Sequence, residues 1–166
     1  MQEFKNLRIN SNIVSGDGSI RYLSTFIKEN NFKSPAILID KNLYESSEYI
    51  STELENLTPD PHIIIYSYKF EPTYQLLDQM VSDLNVNNLK NKIDVWIGIG
   101  GGSTMDTAKG LAILCKNEPP SIKYKGFPEK LKEPLPVIAV PSTTGTGSEV
   151  VYNASFIDQK SKIKMG

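Results

Sequence analysis

One cysteine and one histidine are all that the 166 residues hold of the two residue types most used for disulfides and metal sites. Cys115 cannot form an intramolecular disulfide, and it falls within an apolar helical pattern. It reads as a buried core thiol in a reducing cytoplasm. A metal site needs three or four convergent ligands. His62 stands alone at the start of a predicted strand and reads as a structural or exposed residue. Long hydrophobic runs are also missing. None approaches the ~18–20 apolar residues of a membrane span. The start, MQEFKNLRIN, has no apolar core behind a basic stretch, so no signal peptide is expected. Charge of one sign is lacking too. Lys+Arg total 18 and Asp+Glu total 19, which gives no broad attraction to nucleic acid or anionic lipid.

What is present suits one soluble domain with a real core: 39% hydrophobic residues over a length hardly sufficient for two domains. Short aliphatic runs alternate with segments of helical spacing. The spacing predicts a strand at Phe4–Ile9, a turn at SGDGS, and a helix carrying Ile20, Leu23, Phe26 and Ile27. A strand AILID then ends at Asp40, and a helix follows over Tyr44–Leu57, closed by Pro59 and Pro61. Next come a strand at His62–Tyr68 and a helix from a Thr73 N-cap to about Asn88. A strand at Ile93–Ile99 runs into Gly100, Gly101, Gly102 and Ser103, and a helix follows over Thr104–Asn117. Glu118–Leu135, with Pro119, Pro120, Pro128 and Pro134, reads as a long surface loop. PVIAV at Pro136–Val140 is another strand, and Val150–Met165 forms two short strands around DQKSK. This alternation predicts an α/β fold with a mostly parallel sheet covered on both faces.

Ligands of such sheets bind at the C-terminal ends of the strands. Asp40, Gly100–Ser103 and Ser142–Thr144 each follow a strand, so they are expected at one sheet edge. Glycines let a phosphate approach the backbone, and a helix N-terminus offers free N–H groups and partial positive charge. A plain strand-to-helix turn, with Ser103 and Asp106 as a capping-box variant, is the other reading of the same residues. The loop fits neither G-x-G-x-x-G nor a Walker loop. A strand-end carboxylate such as Asp40 can accept hydrogen bonds from both ribose hydroxyls and repel a 2′-phosphate, or it can simply cap a turn. The loop STTGTGSE offers hydroxyls for a pyrophosphate, a ribose or a carboxamide, or it is a polar loop with no ligand.

The string GGGSTMDTAK at Gly100–Lys109 resembles the GGGSxxDxxK signature of iron-containing alcohol dehydrogenases, and PSTTGTGSEV at Pro141–Val150 resembles that family's second signature. EPT at Glu71–Thr73 and LIDKNLYE around Asp40 match in place and order. Glycerol dehydrogenases and dehydroquinate synthases resemble the fold but depart at both motifs. The resemblance implies a Rossmann-like domain of the dehydroquinate synthase-like fold, with residues 1–166 as an NAD(P)-binding N-terminal domain. It implies Asp40 on the adenosine ribose, favouring NAD over NADP. It puts Gly101, Gly102 and Ser103 on the pyrophosphate. Asp106 and Lys109 belong to the same signature, Asp106 fixing the loop as much as touching ligand and Lys109 acting by charge near the phosphates. Ser142, Thr143 and Thr146 match the second cofactor loop, and Lys164 matches a lysine that reaches a cofactor ribose. Glu71 stands where many members have Asn.

The family also carries a helical domain with one Asp and usually three His that hold Fe²⁺ or Zn²⁺. Gly166 comes before any of them, so the expectation is one part of a longer, cytoplasmic enzyme that forms a homodimer or larger oligomer. The expected partners are a nicotinamide dinucleotide and a small alcohol or aldehyde. No residue of the chain is expected to be catalytic by itself. Two competing expectations are a nucleotide-binding module without activity and a lyase of the dehydroquinate synthase type.

Overall fold

The aliphatic runs become the centre of the molecule because alternate residues of each strand face opposite ways and both faces are covered. In the computed structural model, which describes residues 11–165 except 127 and 129, β1 (Pro35–Asp40), β2 (His62–Tyr66), β3 (Val95–Gly100) and β4 (Val137–Pro141) form one parallel sheet in the order β2-β1-β3-β4. The expected strand at Phe4–Ile9 lies outside the described residues.

Two apolar clusters sandwich the sheet. Ala36, Leu38 and Trp96 pack against Leu77, Val81 and Leu84 of α4 (Tyr74–Val86) and Ala108, Leu111 and Ala112 of α5 (Gly102–Lys116). On the other face, Ile37, Ile39, Ile97 and Ile99 pack against Leu23 and Ile27 of α1 (Tyr22–Glu29), and against Leu54 near the end of α3 (Glu48–Glu55). Every residue of β3 is buried. Gly98 explains how α5 lies so close: a Cβ there would stand 2.9 Å from Ala108 Cβ. Cys115 sits in the α4–α5 cluster and accepts the Trp96 indole N–H at 3.3 Å, and burial pushes its thiol pKa up.

The helix expected over Tyr44–Leu57 is two helices. The first, α2 (Lys41–Ser46), starts directly after β1; Ser47 then takes an extended conformation and caps α3, its side chain accepting from Ile50 N–H at 3.4 Å. A serine that can satisfy a helix N-terminus competes with continuing the helix through it. Elsewhere the differences are short. α5 begins two residues earlier than the spacing suggests, and the proline-bearing loop contains a 3₁₀ turn at Ser121–Tyr124. The turn docks on α4, since Ser121 N–H donates to Asp78 Oδ1 at 2.7 Å and Ser121 Oγ donates to the Tyr74 carbonyl at 2.8 Å. The chain's last described segment is the expected hairpin, β5 (Phe156–Ile157) against β6 (Lys164–Met165), anchored through buried Phe156.

Candidate cofactor site

Strand register brings the site residues to one edge. Ile39 pairs with Ile99, so Asp40 lies level with Gly100. On the other side Gly100 pairs with Pro141, and Ser142 N–H donates to the Gly100 carbonyl at 2.9 Å. With parallel strands ~4.8 Å apart, Asp40 and Ser142 flank the glycine loop within ~10 Å of each other. The three segments expected to meet at the C-terminal edge do so.

Gly101 is the N-cap of α5, and no side chain caps that helix. Its carbonyl already accepts from Thr104 and Met105 at 3.1 Å, which leaves the first-turn N–H groups of Gly102 and Ser103 without a hydrogen-bond partner among the described residues. Facing them is the hydroxyl loop. A Cβ on Gly101 would stand 3.3 Å from Thr143 Oγ1, and one on Gly102 would stand 3.2 Å from Thr146 Cβ. The missing side chains therefore make the space in which the two loops meet. Thr143 and Thr146 are exposed, as a ligand-facing pair must be. The capping box suggested by Ser103 and Asp106 does not form, because Asp106 is turned to other partners.

Those partners lie at the end of the hydroxyl loop and in the chain that follows it. Asp106 Oδ2 accepts from Ser155 N–H at 2.9 Å, and its Oδ1 accepts from Ser148 Oγ. Lys109 Nζ donates to the Ser148 carbonyl at 2.6 Å, to Ser148 Oγ at 3.0 Å and to the Asn153 carbonyl at 3.0 Å, with Asp106 Oδ1 at 3.4 Å. Burial pushes the Lys109 ammonium below the ordinary lysine pKa, while Asp106 and then Glu149 pull it back up.

Asp40 combines both readings of a strand-end carboxylate. Its Oδ1 accepts from Asn42 N–H at 2.9 Å and from Leu43 N–H at 3.2 Å, capping α2. The other oxygen makes no hydrogen bond among the described residues. Lys164 is less directly placed: on β6 its ammonium meets Glu71 Oε2 at 2.9 Å, with both side chains about half exposed. Among the described residues no contact carries it to the glycine loop. His62 lies at the opposite, N-terminal edge of the sheet, its Nε2 3.2 Å from Ser34 Oγ.

Two residues of this region carried no separate signal in the sequence. The Tyr68 hydroxyl is buried beside Thr104 and Thr107 without a hydrogen-bond partner among the described residues, and burial raises its pKa well above the ordinary tyrosine value. Ser148 lies within the hydroxyl motif but is turned inward, only 5% exposed. Its inward turn depends on Asp106 and Lys109, which a run of hydroxyls and glycines does not announce.

Comparison with known proteins now decides the family. The profile described as iron-containing alcohol dehydrogenase matches residues 10–166. The chain belongs to the iron-containing alcohol dehydrogenase family. Alcohol dehydrogenase 4 of Schizosaccharomyces pombe is 29% identical over 150 residues, which is 90% of this chain and 35% of that protein. The NAD-dependent methanol dehydrogenase of Bacillus methanolicus is 29% identical over 154 residues, 92% of this chain and 39% of that one. Among solved structures, the NADH-dependent butanol dehydrogenase A of Thermotoga maritima shares the fold. Its TM-score is 0.80 at 21% identity, covering 98% of this chain and 40% of that one. The chain thus spans well under half the length of these relatives.

Proposed function

We propose that residues 1–166 form the NAD(P)-binding N-terminal domain of a metal-dependent alcohol dehydrogenase that moves hydride between a small alcohol and the nicotinamide. The observation that carries this reading is the meeting of an uncapped helix N-terminus with a hydroxyl loop across a surface cleared by two glycines. Such a helix end favours a doubly charged pyrophosphate. In this reading Gly101, Gly102 and Ser103 hold the pyrophosphate, and Ser142, Thr143 and Thr146 hold it or the adjoining sugar. The free oxygen of Asp40 accepts from the adenosine ribose, which favours NAD over NADP. Lys164 reaches a ribose only by leaving Glu71.

When bound, the dinucleotide supplies the hydride acceptor or donor, and the protein binds and orients it. The family's metal does not fit among the described residues. No group of three His, Cys, Asp or Glu converges there. The metal that would polarise the substrate's alcohol oxygen for hydride transfer would be held by residues outside those described. No helix among the described residues is long and apolar enough to cross a membrane. A cytoplasmic enzyme that works as a homodimer or larger oligomer completes the proposal.

The test compares residues 1–166 with the whole gene product for metal content and alcohol-dependent NADH formation. We expect stoichiometric iron or zinc and NADH formation only from the whole product. NADH formation by residues 1–166 alone would place the chemistry in this chain and overturn the metal-dependent reading.

A further inference from the structure

The hydroxyl loop is held in place from behind by α5. Lys109 and Asp106 are one turn apart, with side chains 11% and 15% exposed, and both reach the chain between Ser148 and Ser155. An ammonium group has three N–H donors. The Ser148 carbonyl, Ser148 Oγ and the Asn153 carbonyl, all within 3.0 Å, use the three that Lys109 has. None is left for a phosphate. Asp106 is similarly occupied, one oxygen by the Ser155 amide and the other by Ser148 Oγ, with the Lys109 ammonium 3.4 Å away as an ion-pair partner. A short polar core therefore joins three places: the second turn of α5, the end of the hydroxyl loop, and the irregular segment leading to β5.

We propose that Asp106, Lys109 and Ser148 are positioning residues, a clamp that sets Thr143 and Thr146 against the glycine loop without touching the cofactor. The inference rests on the reading that this edge holds a dinucleotide. It departs from a role for Lys109 by charge near the phosphates. The two roles differ before any ligand is added. A clamp holds the loop in the free protein, whereas a phosphate contact acts only in the complex.

The experiment measures amide hydrogen exchange over residues 146–155 in ligand-free residues 1–166, then titrates NAD and, separately, ADP. The variants are Lys109→Met and Ser148→Ala. Ser148→Ala removes one Lys109 contact and one Asp106 contact while keeping both charges, and so serves if Lys109→Met does not fold. The clamp predicts at least ~10-fold faster exchange at Ser155 in both variants without ligand, and NAD affinity lowered by ~10-fold. ADP, whose diphosphate meets the intact glycine loop, loses less than NAD does. Unchanged ligand-free exchange overturns the clamp, most plainly if Lys109→Met weakens ADP and NAD equally, as a direct phosphate contact would. Faster exchange with unchanged NAD affinity overturns the link to the cofactor. Failure of the wild-type chain to bind either ligand rejects the dinucleotide reading and with it this link, while the exchange rates still report whether the clamp holds the loop.

Discussion

Asp40 shows how one side chain can serve the fold and the proposed site together. Its Oδ1 caps α2, while its other oxygen is open at the sheet edge. Removing the whole side chain would mix a capping loss with a charge loss. Asp40→Asn separates them, since an amide oxygen caps a helix about as well as a carboxylate. We expect Asp40→Asn to keep thermal stability and to raise the affinity for NADP relative to NAD by roughly tenfold, because the charge facing a 2′-phosphate is gone. Titration of both dinucleotides into wild type and variant reads this ratio, and an unchanged ratio would remove Asp40 from cofactor choice. Lys41 is next in sequence and pairs with Glu45 at 3.5 Å on the exposed face of α2.

At the scale of elements, the sequence was most legible where burial and period agree. The odd and even residues of Ala36–Ile39 and Trp96–Ile99 divide between the two clusters as alternation requires, and Thr73 caps α4 as its position suggests, accepting from Leu76 N–H at 3.1 Å. The α2–α3 break was not legible, because Tyr44–Leu57 keeps a helical apolar face through Ser47 and the serine's cap competes only locally. The site showed the same division. The glycines and hydroxyls could be read as a ligand edge from their place after strands. The inward turn of Ser148 and the occupied donors of Lys109 depend on backbone carbonyls up to 44 residues away, which no local pattern encodes. Gly102→Ala tests the element-level claim. Its Cβ would stand 3.2 Å from Thr146 Cβ. Alanine favours a helix more than glycine does, by up to ~1 kcal/mol in a helix interior, so the melting temperature should hold or rise slightly. NAD affinity should nevertheless fall about tenfold, because the added carbon sits where the loops meet and lengthens the approach to the first-turn N–H groups. A stable variant with unchanged affinity would show that the glycine clears no space for a ligand.

For the whole molecule, parallel pairing fixes the site. The order β2-β1-β3-β4 places β3 in the interior, so the glycine loop stands between the ends of β1 and β4. No single motif produces that convergence; it follows from the register of three strands and from α5 packing closely over Gly98. A ligand at this edge would therefore touch three separate segments of the chain at once. Amide NMR spectra of residues 1–166, recorded as NAD is added, test it most directly. Shifts centred on residues 40–43, 100–104 and 142–147, with His62 and the N-terminal strand edge unmoved, are the predicted result. Saturating shifts centred on another surface, or none at millimolar NAD, would contradict a dinucleotide site at this edge.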